Sequence, residues 1–412
     1  MGSQQFVKTA VSVGMETSLS KEQLNNFILS KIANGEEDPF YVVDLGLVKS
    51  LISKWNCKFP NIKPFYAVKC NPEPTFLAAL AMHGAGFDCA SKREIEAVLS
   101  LGVSPGRIIF ANTCKPNSHI KYAASVGVNL ATYDSVCEVE KMKKWHPQSS
   151  LVLRIHVGDV GYARYPLATK FGALPEEIVP LLEAASATGL PVVGVSFHVG
   201  SVVTNPEAYR IAIASAKAVF DTALQLGMPR MHILDIGGGF VADTTHFDNV
   251  SLVIKDALTS CFGHNELACP GGLQIISEPG RFFADKSFTL VTNITGKRVR
   301  GESREYWIND GIYGSMNIML HEPTRIPGYP LKCGRDNPTF QGEVTYSSIV
   351  YGPTCDSKDT IWKDCPLPDL QVSDWLVFTE MGAYAASTGS KFNGFDTSAI
   401  HTYVGVVTSP LL

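Results

Sequence analysis

Hydrophobic positions along this 412-residue chain follow two regimes. Between residues 65 and 277, short runs of apolar, aromatic and β-branched residues alternate with longer stretches of helical spacing. The strand-like runs fall at 65–68, 86–89, 107–111, 128–132, 151–155, 192–197, 231–236 and 273–276. The early ones recur about every 21 or 22 residues, the later ones about every 40. Helical patterns fit between them at 75–83, 92–101, 117–126, 136–145, 175–188, 206–226 and 250–262. Strands and helices in strict alternation imply a parallel sheet. Eight such units predict a closed (β/α)8 barrel; a doubly wound open sheet is the other arrangement of the same elements.

Beyond residue 285 that rhythm stops. Runs at 288–294, 305–309, 342–349, 375–379 and 400–407 are short, β-rich and punctuated by Gly and Pro, which predicts a second, mostly β domain, a sandwich or barrel. Residues 323–340 are rich in Pro, Gly and charge and read as a loop. At the other end, 19–33 has helical character with Ser20 as N-cap and Glu22 close behind, and 40–43 reads as a strand. The expected organisation is an N-terminal segment, 1–38, packing on the β domain; a barrel, 39–285; and the β domain, 286–412.

Composition narrows the function classes. The formal net charge of −4 and mixed surface charge leave no basic footprint for nucleic acid. No apolar run approaches the roughly 20 residues of a membrane span. Ten cysteines are scattered without a CxxC pair, which favours reduced thiols and a cytoplasmic setting over a disulfide framework or a metal site.

Chemistry in a barrel gathers where strands end. Those points carry Lys69, Asp88, Asn112, Asp134, Arg154, His198, Gly237-Gly238-Gly239 and Glu278. Lys69 closes an apolar run just before Pro72 and Pro74. In a partly dry pocket a lysine loses its proton and attacks a carbonyl; a solvated lysine ending a strand is the other reading. The three glycines let backbone N–H groups approach a phosphate, and Arg281 can grip two of its oxygens. Glu278 beside a phosphate is useful only if it faces a cation, and a pyridinium nitrogen is one. Lysine for an aldehyde, acid for a ring nitrogen, glycines and arginine for a phosphate are the needs of pyridoxal 5′-phosphate. His198 can stack on the ring, or be a hydrogen-bonded core histidine; Arg154 can serve the site, or pair with Asp88 or Glu94.

These stretches resemble the eukaryotic ornithine decarboxylase family of fold-type III pyridoxal-phosphate enzymes. The matching segments are 65–71, 87–91, 194–201, 234–240, 278–281, 309–315, 352–356 and 381–384. The resemblance implies a barrel plus a β domain and assigns roles. Lys69 would bind the cofactor covalently, with Asp88, Glu94 and Arg154 as a polar network around it. His198 would stack on the ring, and Glu278 would keep its nitrogen protonated. Ser201, Gly237, Gly238, Gly239, Arg281 and Tyr384 would hold the phosphate. Cys355 would guide protonation at Cα and Asp356 would bind the substrate's distal amine, both reaching the site of the other subunit in a head-to-tail homodimer. Tyr313 and Phe392 would line that shared site, and Lys170 with Asp359, and Asp134 with Arg298, would pair across subunits. Without the resemblance, Cys355 reads as a buried thiol.

The implied reaction is decarboxylation of a basic L-amino acid, ornithine to putrescine, in polyamine biosynthesis. Two departures bear on the substrate. Where the family has Tyr-Asp-His, this chain has His321-Glu322-Pro323; Glu322 keeps the charge that binds the distal amine but adds a methylene, and Pro323 fixes φ. The stretch 158–165 is also unusual. Lysine or arginine is therefore the alternative substrate. A racemase is disfavoured by Glu278, and an inactive regulatory homologue by the presence of Lys69, Cys355 and the phosphate ligands.

Overall fold

The computed structural model describes residues 17–158, 162–165, 170–268, 272–321, 326–332, 340 and 342–406. They form two compact units, one of residues 51–282 and one joining residues up to 50 with 283 onwards.

Among the described residues of the first unit, eight parallel strands close into a barrel: Ile62–Ala67, Gly86–Cys89, Ile108–Phe110, Leu130–Tyr133, Ser150–Arg154, Val192–Ser196, Ile233–Asp235 and Gln274–Ser277. All eight predicted runs are barrel strands, and the open-sheet alternative falls. Interior-facing Phe65, Ile109, Val152, Ile233 and Ile276 fill the centre. The barrel is thus a packed core, which leaves its chemistry to the rim. Trp55 is fully buried in an aromatic cluster with Phe59, Phe240, Phe247 and Phe282, and its Nε1 donates to the Ile62 carbonyl at 2.9 Å. The helix bearing Trp55, Leu45–Lys58, is absent from the sequence reading.

The second unit is a sheet of eight strands among the described residues. Its core joins Phe40, Val42, Val291, Leu331, Trp375 and Val377 to Phe27 and Ile28 of the helix Lys21–Ala33. Ser20 caps that helix, accepting from the Gln23 N–H at 3.2 Å while Gln23 reaches back to the Ser20 N–H at 2.8 Å. The strand Phe40–Val43, given above to the barrel, pairs instead with Phe288–Arg300 and His401–Val404. A four-residue run buried on both faces looks alike in either sheet, so its sequence could not choose.

Two further strands lie where loop was expected or nothing was read: Gly328–Leu331 and Thr360–Pro368. They occupy the two ends of the sheet path. Pro330, Pro366 and Pro368 disguise them, because proline lacks the N–H that an inner strand must donate and is tolerated at an edge.

Candidate active site

The first barrel strand runs out at Ala67 into a tight turn, Val68–Cys70. Val68 and Cys70 are fully buried and pin the turn, which leaves Lys69 pointing away with its side chain half-exposed. Pro74 then opens the helix Pro74–Met82, whose N-cap Glu73 accepts from the Phe76 N–H at 2.6 Å. Lys69 Nζ donates to Asp88 Oδ2. Asp88 is 1% exposed at the next strand, and its Oδ1 has no partner among the described residues. Glu94, in the first turn of the helix capped by Ser91, folds back to accept from the Ala90 N–H at 2.5 Å. Burial pushes its carboxyl above the usual range, against that hydrogen bond. Arg154 ends the fifth strand and lies over the Phe171 ring.

His198 follows the sixth strand. Its Nδ1 accepts from the Gly200 N–H at 3.0 Å, which places the proton of the neutral ring on Nε2. Burial, with Arg154 and Lys69 nearby, drives its pKa down to about 3, so the ring presented is uncharged. The glycine turn lies against it. A methyl group at Gly238 would come within 2.9 Å of His198 Nε2, and one at Gly237 (φ +63°) within 2.2 Å of the Phe197 carbonyl. The three glycine carbonyls are held: that of Gly237 accepts from the Glu278 N–H at 2.7 Å, that of Gly238 from Tyr209 Oη at 2.8 Å, that of Gly239 from the Val203 N–H at 3.1 Å. In a planar trans peptide the following N–H points the opposite way, so the turn presents N–H groups on its other face. Arg281 Nε donates to Ser201 Oγ at 3.1 Å.

Glu278 is 7% exposed. Burial holds its carboxyl well above the usual range, and the neighbouring Asp235 and Asp88 add to the effect. Asp235 is fully buried in the seventh strand and is pushed up to about 7 by that burial. One of its oxygens accepts from the Gly237 N–H at 2.9 Å, and its carboxyl lies beside that of Glu278. This carboxyl, behind both Glu278 and the glycine turn, has no role in the sequence reading. An aspartate inside the apolar run 233–236 was the available signal.

Asp235 gives a pH prediction for the cofactor-free protein. Its folded pKa is raised, so between about 4 and 7 the folded chain keeps a proton that the unfolded chain has released. Its contribution therefore declines as pH rises through that window. In scanning calorimetry, the Tm difference between Asp235→Asn and the parent should shift in favour of the variant from pH 5 to pH 8. A difference independent of pH would refute the assignment.

The β unit gathers a second set. Tyr313 Oη donates to Asp356 Oδ2, and the Tyr313 and Phe392 rings lie 4.7 Å apart. The Lys358 N–H and the Tyr313 hydroxyl hold the Asp356 carboxyl below its usual range. Cys355 is exposed, not buried, and its N–H donates to Asn393 Oδ1 at 2.9 Å. Asp359, 2% exposed, accepts from the N–H groups of Ile312 and Thr354 and from Thr354 Oγ1, tying the 312 and 354 loops together. Asn393 is another residue that sequence reasoning missed. In the same unit Tyr384 adopts φ +57°, a strained conformation for a bulky side chain. Arg298 binds Glu305 of its own sheet, and Asp134 accepts from the Gly172 N–H. Glu322 and Pro323 lie outside the described residues, as do 159–161 of the unusual loop.

Residues 45–285 match the model of the pyridoxal-dependent decarboxylase family, pyridoxal binding domain. The chain belongs to the pyridoxal-dependent decarboxylases. Its relatives include an ornithine decarboxylase named chloroplastic from Nicotiana glauca, 54% identical over 94% of this chain and 89% of the relative. The ornithine decarboxylase of Schizosaccharomyces pombe is 44% identical over 89% of this chain and 83% of its own. Among solved structures, the arginine decarboxylase of Paramecium bursaria Chlorella virus superposes with a TM-score of 0.83 at 38% identity, covering 92% of this chain and 99% of that one. Lysine/ornithine decarboxylase from Vibrio vulnificus, complexed with cadaverine, gives 0.81 at 30%, covering 94% and 99%. As a decarboxylase of this family, the enzyme is a carboxy-lyase that uses pyridoxal phosphate. The barrel rim fits that cofactor: a glycine cradle closed to any Cβ, an arginine with a serine, and a buried carboxyl whose raised pKa a cationic ring nitrogen would relieve.

Proposed function

We propose that the enzyme decarboxylates L-ornithine to putrescine, a step of polyamine biosynthesis. The observation that carries this reading is the 54% identity, over nearly the whole chain, to the ornithine decarboxylase of Nicotiana glauca. When bound, pyridoxal phosphate supplies a conjugated ring that accepts the electron pair left on Cα as carbon dioxide departs.

The chain's own residues then divide the work. Lys69 binds the cofactor, and Asp88 holds its ammonium in place beforehand, with Glu94 and Arg154 in the polar network around it. His198, uncharged, would stack on the ring. Glu278 holds a proton at the ring nitrogen and Asp235 fixes Glu278 from behind. Ser201, Arg281, the glycine N–H groups and Tyr384 take the phosphate. Cys355 delivers a proton to Cα, and Asp356, kept anionic, pairs with the distal ammonium alongside Glu322. Cys355 and Asp356 act in the partner's site of a head-to-tail homodimer. A cytoplasmic location fits the exposed thiols Cys57, Cys114 and Cys137; the chloroplast named for the Nicotiana relative is the competing location, decided by imaging a C-terminal fluorescent fusion.

Lysine or arginine is the second reading, supported by the lysine/ornithine and arginine decarboxylases among the structural neighbours and by Glu322-Pro323. Carbon dioxide release from L-ornithine, L-lysine and L-arginine decides between them. We expect kcat/KM for ornithine to exceed that for lysine by about 10- to 200-fold, the range that one methylene in a pocket can discriminate. A higher value for lysine or arginine would refute the ornithine assignment.

A further inference from the structure

Beside the phosphate residues lies a small two-stranded ribbon, Ala163–Tyr165 against Ser201–Val203. It is antiparallel, with Tyr165 directly opposite Ser201 and Ala163 opposite Val203. Directly opposed residues share a face, so the Tyr165 and Ser201 side chains stand side by side. Arg281 meets both. Its Nε donates to Ser201 Oγ at 3.1 Å, and its guanidinium carbon lies 5.4 Å from the centre of the Tyr165 ring. That distance is within the reach of a cation–π contact.

The ribbon is anchored at its Ala163–Val203 end. The Thr204 N–H donates to the Tyr162 carbonyl at 2.7 Å, and the Val203 N–H donates to the Gly239 carbonyl at 3.1 Å. Val202, just before this end, takes φ +56°, costly for a β-branched residue and sustained by these ties. The strand that carries Ser201 is therefore bonded to the glycine turn on one side and to the segment that carries Tyr165 on the other. Tyr165 is half-buried, neither solvent-facing nor part of the core.

We propose that Tyr165 is a positioning residue for the cofactor's phosphate. Its ring holds the Arg281 guanidinium in the plane set by Ser201, so that the arginine is aimed before the phosphate arrives. An unconstrained arginine must give up side-chain freedom on binding, and orienting it in advance removes that cost from the affinity. The ring also shields the guanidinium from water, which strengthens its attraction for an anion. This inference rests on assigning Arg281 and Ser201 to the phosphate.

The test compares two ligands that differ only in the phosphate. Pyridoxal phosphate and pyridoxal are titrated into the cofactor-free full chain, and into its Tyr165→Ala, Tyr165→Phe and Arg281→Ala variants, with Kd read from absorbance. Tyr165→Ala should raise the Kd of pyridoxal phosphate by about 3- to 30-fold, the span of a cation–π contact, and leave that of pyridoxal within about twofold. Tyr165→Phe, which keeps the ring, should behave as the parent. If Tyr165→Ala does not fold, Tyr165→Leu replaces it, keeping bulk without a π face. The proposal is overturned if the phosphate ligand is weakened less than about threefold, if pyridoxal weakens equally, or if phenylalanine fails to rescue. Should Arg281→Ala also treat both ligands alike, the phosphate assignment itself falls and takes the proposal with it. A sensitive Arg281 with an insensitive Tyr165 removes the proposal alone.

Discussion

Replacing Lys69 by alanine should lower the rate of carbon dioxide release by about 10⁴-fold, the upper end of what one positioned group contributes through proton transfer and covalent binding. The turn Val68–Cys70 is held by its buried neighbours, not by the lysine, so the variant should still fold, with a lower Tm in the cofactor-free state because the buried Asp88 loses its ion-pair partner. What it loses is the amine proposed to take the aldehyde. It also strands Asp88, whose carboxylate is buried with one oxygen already unpartnered; Lys69→Ala should therefore bind pyridoxal phosphate more weakly and reversibly under dialysis. Activity within tenfold of the parent would show that another amine takes the aldehyde, and would remove Lys69 from the centre of the site.

The barrel was legible because its signal is periodic. Each strand is a short apolar run bounded by helical spacing, and burial on both faces forces that pattern on all eight. Rim residues were legible for the same reason: once strand ends are located, the polar residues there are named by position. What escaped notice lacks a period. The strands Gly328–Leu331 and Thr360–Pro368 carry prolines, which demote a run as a strand candidate, and their place at the ends of the sheet path is a property of the sheet rather than of the run. The role of Asp235 has no signal of its own, because a single aspartate within a strand does not reveal which carboxyl it faces. Asn393 reaches the Cys355 N–H across 38 positions, and Asp359 binds Ile312 across 47; no local spacing marks such pairings. The β-unit cluster was thus found through family likeness, and its geometry supplies the physical reasons: a tyrosine hydroxyl and an N–H that keep Asp356 anionic, and a buried aspartate that joins two loops.

Two inactive variants should restore one another. Cys355→Ala removes the proposed proton donor from the β unit and is expected to lower turnover by about 10²-fold or more; Lys69→Ala removes the amine from the barrel. If each site takes its barrel residues from one protomer and Cys355 with Asp356 from the other, a mixed dimer has one site with both defects and one with neither. Random pairing makes about half of the dimers mixed, each with one of two sites intact, so co-expression should recover about a quarter of the parent activity. Sites complete within one protomer would predict almost none, because every site would then carry one defect or the other. The same mixture tests the phosphate ligands: Arg281→Ala belongs with the barrel, so it should complement Cys355→Ala and fail to complement Lys69→Ala. Recovery with Lys69→Ala would place Arg281 in the partner's site and break the barrel rim proposed here.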